Sequence, residues 1–251
     1  LTNRNERIKM YITDEKLAYV ITRYTFRECG HIEDVHAEVK QLDMTDYNVV
    51  QDLVQEKLED VRAAGDSRTI EFFMGSPDDN NAIMLYNGLM EVLKPYLDDG
   101  TLVCKSGKFT FQETAIVRWS QETAQQKCAK LLETHYKDED LDICASAFDG
   151  FAYGCKTAFE NAGYTEENWP VITGQDADLK ACKNILSGKQ TSSVYKDTRV
   201  LAEKCVSMVN AVCNGSDPEI NDLEQYYNRV ITVPAYLCTP VSINADNLEE
   251  I

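Results

Sequence analysis

The sequence predicts an α/β fold in which a mostly parallel β-sheet is flanked by helices. From residue 68 onward, short β-branched or aromatic runs alternate with longer segments of helical periodicity. Such alternation is typical of βαβ units, whose strands lie parallel because a helix crosses between them. A chain of 251 residues with 43% hydrophobic side chains is long and apolar enough to bury a substantial core, in one large domain or two small ones.

Five strands and five helices are expected to alternate in this part of the chain. The predicted strands are 69–74, 102–105, 141–145, 170–173 and 192–195. The predicted helices are 82–97, 120–136, 150–162, 177–187 and 198–213. Upstream, the pattern predicts a strand at 8–13 and helices at 14–27 and 45–64.

The charge of the chain excludes one class of partner. Lys and Arg number 25 against 42 Asp and Glu, which gives a net charge of −17. A field of that sign repels phosphate backbones and acidic lipid, so we expect no nucleic-acid partner. The chain contains no membrane-spanning apolar run and no basic-then-apolar leader, and it opens on Leu1; we therefore expect a processed or shortened product.

Nine cysteines are dispersed along the chain, and no two are spaced as C-x-x-C. A zinc ribbon or a redox motif is therefore not indicated. Most of the nine lie in apolar runs, where a free cysteine behaves as a small hydrophobic side chain. We expect them to be buried thiols, which points weakly to a reducing compartment or an anaerobic habitat.

Polar and aromatic residues follow several of the predicted strands. In an open α/β sheet, ligands bind outside the carboxyl ends of the strands, because the loops and helix N-termini converge there. The residues expected at that edge are Asn80, Asn81, Trp119, Phe148, Asp149, Asp176 and Lys196. Carboxylates and amides pair with neighbouring hydroxyl groups, and aromatic rings pack on the apolar face of a pyranose. The set suits a sugar better than a phosphate, which favours a Gly-rich loop with Arg or Lys.

Each of these residues also has a simpler interpretation. Asn80, with the preceding Asp78 and Asp79, could cap a helix as readily as bind a ligand, and Asp176 could cap the helix predicted from 177. Trp119 alone is more often a core residue, and Lys196 could be a solvated charge. Their shared edge favours the binding interpretation.

Catalytic and metal-binding patterns are weak. Asp78 and Asp79 are adjacent and point apart after a strand, and no Ser-His or Cys-His pairing is indicated. Two short runs faintly resemble metal sites, namely Cys29 with His31 and His36, and Asp217 with Glu219 and Asn221. Neither has a supporting pattern, so we expect no catalysis, no cofactor and no bound metal.

Seven stretches resemble the type I periplasmic sugar-binding proteins, in the branch for xylose and for multiple sugars (glucose, galactose, arabinose). They are GSPDDNNA (75–82), VLKPYLDDG (92–100), VRW (117–119), SAFDGFAYG (146–154), VITGQDADL (171–179), QTSSVYKDTR (190–199) and VPAYLCTPVSI (233–243). Their order and spacing cover roughly residues 69–248, and GQDAD with YKDTR is specific to this branch.

The resemblance implies roles for individual residues. Asn81, Trp119, Asp176 and Lys196 would contact the sugar, with Phe148 and Asp149 beside the pocket. Arg118 would be a neighbour, and Asn80 precedes the first contact. The implied fold is the periplasmic binding protein type I fold, a Rossmann-like lobe with the first lobe largely missing. Residues 1–194 would be the second lobe with a hinge strand at its start, 195–232 would return to the first lobe, and 233–251 would recross as the third hinge and tail.

The implied function is the capture of a pentose or hexose for the permease of an ABC transporter. The implied location is the periplasm or, with a lipid anchor, the cell surface. Two alternatives stay open, a receptor for a membrane sensor kinase and the effector-binding core of a transcriptional regulator of the same fold. The regulator would need a basic DNA-binding headpiece, which the sequence lacks. Self-association through residues 198–213 is also expected, because the apolar side of that helix would have no sheet to cover.

Overall fold

The computed structural model describes residues 60–224, 226–228 and 230–248. The strands are β1 (Arg68–Phe73), β2 (Leu102–Val103), β3 (Ile143–Ser146), β4 (Val171–Ile172), β5 (Ser193–Tyr195) and β6 (Val241–Ile243). The helices are α1 (Asn80–Asp98), α2 (Phe111–Thr114), α3 (Gln121–His135), α4 (Asp149–Asn161), α5 (Leu179–Leu186) and α6 (Thr198–Cys213), with a 3-10 turn at Val117–Trp119.

Four strands form a parallel sheet in the order β2-β1-β3-β4. The register places Ile70 opposite Ile143 and Phe73 opposite Ser146. Residues 69–73 of β1 are all buried, as expected for a central strand covered on both faces, and they include the polar Thr69 and Glu71. Because the strands are parallel, their carboxyl ends meet at one edge of the sheet.

The core lies on both faces of this sheet. On one face, Ile70 and Phe72 pack with Leu89 and other residues of α1. On the other face, Phe73 and Cys144 pack with side chains of α3 and α4, Phe151 among them. Alternate residues of β1 thus serve opposite layers, as the two-residue repeat of a strand requires. The result is a helix–sheet–helix sandwich.

Strands β5 and β6 form a separate antiparallel pair, with Val194 opposite Ser242. The pair is tied to the parallel sheet by backbone hydrogen bonds from Val194 N to Gly174 O (3.2 Å) and from Asp176 N to Val194 O (2.8 Å). Helix α6 follows β5, and none of its side chains is buried. The segment after β5 therefore leaves the sandwich.

The predicted architecture is confirmed, since a parallel sheet is flanked by helices. Helix 198–213 has the predicted bounds, whereas the helix predicted from 177 begins at Leu179. The predictions for 8–13 and 14–27, and most of that for 45–64, lie outside the described residues. No helix among the described residues is long and apolar enough to cross a membrane.

The prediction of buried cysteines holds for part of the chain. Cys128, Cys144 and Cys155 are buried between α3, β3 and α4. Cys205 and Cys213 are exposed on α6, so the prediction is wrong for these two. The apolar run around them is helical, but the described residues bury no side of that helix.

Candidate functional site

A continuous series of side-chain and backbone contacts runs along the carboxyl edge of the parallel sheet. It starts at Asp79 after β1, passes through Trp119 and Phe148, and ends at Asp176 and Lys196. Phe148 is connected to the loop that carries Asp176 by the backbone hydrogen bond from Asp149 N to Gln175 O, which is 3.0 Å long. The structure thus brings together residues from five different loops.

Asp79 has two tasks at the start of α1. Its Oδ1 accepts a hydrogen bond from Asn81 N (2.9 Å), so Asp79 is the N-cap of the helix. Its Oδ2 accepts from Trp119 Nε1 at 3.2 Å. Because one carboxylate serves both the cap and the indole, the position of Trp119 is fixed relative to α1.

The ring of Trp119 stands in an aromatic cluster. It stacks on Phe151 at 5.7 Å between ring centroids, with 15° between the planes. Phe148 meets it edge-on at 5.8 Å and 82°. Gly75 allows this placement, because a Cβ there would lie 2.1 Å from the indole ring. Trp119 and Phe148 remain partly exposed, so the cluster presents aromatic surface at the sheet edge.

Trp119 is therefore both a packed residue and a candidate platform. The core interpretation accounts for the contact with Phe151, and the binding interpretation accounts for the surface left open. Its backbone has a φ of 52°, and that of Arg118 is 58°. Few side chains adopt this left-handed region. The turn is held by Arg118 N, which donates to Ser76 Oγ at 2.8 Å.

Asp176 and Lys196 form an ion pair with 3.2 Å between Oδ1 and Nζ. The two side chains are 46% and 50% exposed, so a polar ligand can reach both. Asp176 does not cap the following helix, because Asp178 does so by accepting from Lys180 N (2.7 Å) and Ala181 N (2.9 Å). The capping alternative is thereby excluded for Asp176.

Asp149 lies beneath this surface and is 1% exposed. Its Oδ1 accepts from Ser193 Oγ at 2.7 Å and from Gln190 Nε2 at 2.8 Å. Burial raises the pKa of the Asp149 carboxyl to about 7, against the hydrogen bonds that lower it. Asp149 is therefore adjacent to the candidate ligand surface without forming part of it.

Asn80, Asn81 and Arg118 lie at the opposite end of the series and are exposed. Asn80 Nδ2 donates to the sulfur of Met84 at 3.1 Å. Asn81 is held next to Asp79 by its own backbone N–H, which leaves its amide side chain at the first turn of α1. Asp79, whose role sequence reasoning left open between cap and ligand, bonds both Asn81 N and Trp119 Nε1, whereas Arg118 is held by Ser76.

Sequence reasoning missed Ser193, Gln190 and Phe151, which support the site from below. Ser193 and Gln190 belong to the quoted stretch QTSSVYKDTR, but their contact with Asp149 joins residues more than forty positions apart. Within the described residues, no group of three His, Cys, Asp or Glu side chains could hold a metal ion.

A model of the family described as "Periplasmic binding protein domain" matches residues 50–217. The chain belongs to this family. Its parallel sheet with helices on both faces is the periplasmic binding protein type I fold. The resemblance carried by the seven stretches is thus confirmed.

Relatives and solved structures within the family are similar to the chain over most of its length. The multiple sugar-binding periplasmic receptor ChvE of Rhizobium radiobacter is 43% identical over 184 residues, which are 72% of this chain and 52% of that receptor. The D-xylose-binding periplasmic protein of Escherichia coli (strain K12) is 31% identical over 70% of this chain and 50% of its own length. The chain therefore spans about half the length of the curated relatives it matches.

A crystal structure of an ABC transporter solute-binding protein from Clostridium phytofermentans, with bound beta-D-glucose, superposes with a TM-score of 0.73 at 41% identity. The match covers 80% of this chain and 61% of that one. A solute-binding protein from Chloroflexus aurantiacus, in complex with D-glucose, superposes with a TM-score of 0.63 and shares the fold at 24% identity.

Proposed function

We propose that the chain is the sugar-capturing part of an extracytoplasmic solute-binding protein, which holds a pentose or hexose and delivers it to the permease of an ABC transporter. The observation that carries the proposal is the edge on which the Trp119 and Phe148 rings are joined to the Asp176–Lys196 pair. An aromatic face packs on the C–H groups of a pyranose, and the charged pair offers one acceptor and one donor to its hydroxyls. The names of the sugar-binding relatives support the same assignment.

The domain boundaries predicted from the sequence form part of the proposal. Residues 1–194 constitute the second lobe, 195–232 return to the first lobe, and 233–251 recross as the third hinge and tail. The antiparallel pairing of β5 with β6 supports the recrossing after 232, since it returns the chain to the strand that precedes α6. The separation of α6 from the sandwich supports its assignment to another lobe.

The proposed role is non-enzymatic and belongs to the periplasm or the cell surface. A general acid or base must reach the proton that it transfers. Asp149, whose pKa is raised into the range suited to such work, is buried and engaged by Ser193 and Gln190. Burial of this group supports binding without chemistry.

Residues 1–251 should bind a monosaccharide weakly. The edge supplies one aromatic cluster and a few polar partners, and polar contacts that face solvent are worth only about 0.5–1.5 kcal/mol each. Immobilising the ligand costs several kcal/mol, which leaves a dissociation constant of about 1 mM or weaker. Micromolar affinity would require contacts beyond those on this edge.

The test is a titration of the chain with D-glucose, D-galactose, D-xylose and L-arabinose, followed by the NMR signals of its two tryptophan indoles. Trp119 Nε1–H is at the site, whereas Trp169, which precedes the edge strand β4, is buried and donates to Lys189 O at 3.3 Å. The Trp119 signal should shift with at least one sugar, and the Trp169 signal should stay. A shift of Trp169 alone, or of neither indole, would contradict the proposal.

Asp176→Asn sharpens the test. The lost carboxylate should weaken binding by about 0.5–1.5 kcal/mol, the range for a polar contact that faces solvent, because Asp176 is 46% exposed. The matched control is Asp138→Asn, an exposed carboxylate in the loop before β3. Equal titration curves for Asp176→Asn and the wild type would remove Asp176 from the site.

A further inference from the structure

The loop that carries Asp176 has an unusual backbone. Asp176 has a φ of 97° and Ala177 a φ of 54°, so two consecutive residues other than glycine occupy the left-handed half of conformational space. L side chains rarely adopt these angles, and such residues persist where the surroundings hold them. The conformation directs Asp176 to Lys196. Something must therefore fix the loop.

Two hydrogen bonds from the loop reach β5. Asp176 N donates to Val194 O at 2.8 Å, which is a backbone contact that most side chains would permit. Ala177 N donates to Ser193 Oγ at 3.1 Å, which depends on one hydroxyl group. A serine hydroxyl has one proton to donate and lone pairs to accept with, and it rotates to suit its partners. The orientation of the Ser193 hydroxyl therefore decides whether the Ala177 N–H has an acceptor.

Asp149 sets that orientation. Ser193 Oγ donates its proton to Asp149 Oδ1 at 2.7 Å, which leaves a lone pair for Ala177 N–H. Gln190 Nε2 donates to the same Oδ1 at 2.8 Å and to Ser192 O at 3.1 Å, so the carboxylate is held from a second side. The backbone of Asp149 donates to Gln175 O at 3.0 Å, so Asp149 contacts the loop directly as well.

Gly174 shows how closely these groups are packed. A Cβ at this position would lie 2.0 Å from Asp149 Oδ1 and 2.5 Å from Gln190 Nε2. Real Cβ atoms do not approach that closely, so any side chain at 174 would displace the carboxylate from Ser193. The contact between Asp149 and the start of β5 therefore requires a glycine at position 174, the first residue of the loop.

We propose that Asp149 is a positioning residue that acts through Ser193 to hold the loop at 174–177 in the strained conformation that presents Asp176 to a sugar. That Asp176 meets a sugar rests on the proposed function. Asp149 itself is 1% exposed, so it acts on the ligand through Ser193 and the loop. The carboxylate uses one oxygen for this task, since Oδ2 has no hydrogen-bond partner among the described residues.

Three variants test the proposal. Ser193→Ala removes the hydroxyl between Asp149 and Ala177, and Asp149→Ala removes the acceptor that orients it. Asp149→Asn keeps an oxygen at the position of Oδ1 and should restore the loop. Thr69→Val is the matched control, because it deletes a buried hydroxyl bonded to Asp142 N (2.8 Å) at the amino end of β1, the opposite edge of the sheet.

The first measurement needs no sugar. Amide hydrogen exchange of Ala177 should accelerate about tenfold or more in Ser193→Ala and Asp149→Ala, and it should stay near the wild-type rate in Asp149→Asn and Thr69→Val. An unchanged rate in Ser193→Ala would overturn the proposal. That variant also decides the matter if Asp149→Ala fails to fold, because Ser193→Ala leaves the buried carboxylate in place.

The second measurement is the dissociation constant for whichever of the four sugars shifts the Trp119 indole. It should rise roughly fivefold to tenfold in Ser193→Ala and Asp149→Ala and stay constant in Thr69→Val, as expected for losing one hydrogen-bonded support. If no sugar binds to the wild type, the proposed function fails, while the exchange rates still decide the positioning role. Equal affinities in all four proteins would confine Asp149 to a structural role.

Discussion

Helices α1 and α6 have similar sequence patterns, but α1 is packed against the sheet and α6 is exposed. Both begin at an Asp N-cap and carry apolar residues at helical spacing. In α1, Leu85, Leu89 and Leu93 pack into the core against the parallel sheet. In α6, no side chain is buried, and Leu201 and Val206 are 57% and 68% exposed.

The segment that follows α6 contacts the helix through polar groups and leaves its own apolar side chains exposed. Lys204 of α6 pairs with Glu219 at 2.6 Å and lies 3.9 Å above the ring of Tyr236, so the returning chain contacts the helix by its polar side. Apolar residues beyond it remain exposed, with Val230 and Ile231 among them. An amphipathic pattern therefore predicts that a helix forms, but only the surrounding sheet determines which side is covered. We therefore expect substitutions of apolar residues to lower the free energy of unfolding most in α1, which is covered, and least in α6, which is open.

The strongest test of this contrast uses one substitution in two places. Leu89→Ala in α1 removes a fully buried side chain and should lower the free energy of unfolding by about 2–5 kcal/mol. Leu201→Ala in α6 should change it by less than about 0.5 kcal/mol, because that side chain is already in solvent. Chemical denaturation measures both values. Both values are taken at a concentration where the chain is monomeric, and equal losses there would show that α6 is covered within a single chain.

A second effect concerns the buried Asp149 beneath the site. Burial, with a smaller contribution from the Asp178 carboxylate, raises its pKa from the usual 3.8 to about 7, although the hydrogen bonds from Ser193 and Gln190 act to lower it. Because the folded pKa exceeds the unfolded one, the folded state holds the proton more tightly. The contribution to stability is full below about pH 4 and is lost as pH rises to about 7.

Asp149→Asn removes this titration and keeps the shape of the protonated group. The free energy of unfolding of the wild type, minus that of Asp149→Asn, should fall by about 3 kcal/mol between pH 4 and pH 7 and level off above about pH 8. Tyr153 and Cys182 also lie near this carboxylate, and burial raises the pKa of both above this range, so neither changes charge there. A difference that stays constant with pH would contradict the raised pKa.

The sequence predicted the sandwich because short β-branched or aromatic runs alternate with segments of helical periodicity, which is typical of βαβ units. The strand predicted at 69–74 and the helix predicted at 198–213 are found within one residue of those bounds. The helix predicted from 177 starts later, since Ala177 has a positive φ and Asp178 is the cap. Two aspartates two positions apart are equally good caps in a sequence, and only the backbone shows which is used.

The sequence predicted which residues share the carboxyl edge of the sheet better than it predicted the contacts between them. Asp176 and Lys196 were expected at one edge, and the structure joins them. The contact between Ser193 and Asp149 could not be predicted, because it depends on how closely Gly174 lets the loop approach α4. The partner of α6 could not be predicted either, since the periodicity of a helix says nothing about what covers it.

The last test asks whether two copies of the chain cover the open side of α6. We expect weak self-association, because the exposed Leu201, Val206, Val209 and Val212 form apolar surface that water disfavours. Leu201→Glu should make the chain monomeric at every concentration, since a carboxylate in such a contact would be desolvated without a partner. It should leave the free energy of unfolding within about 0.5 kcal/mol of the wild-type value.

Leu186→Glu is the matched control for this change. Leu186 ends α5, is 65% exposed, and belongs to the sandwich. Both variants add the same negative charge to a chain of net charge −17, so a general increase in repulsion would affect them equally. Sedimentation velocity over a range of concentrations should show association of the wild type and Leu186→Glu, and its loss in Leu201→Glu alone. If all three sediment as monomers, the open side of α6 is not covered by a second copy, and the first lobe of the family becomes the partner to test.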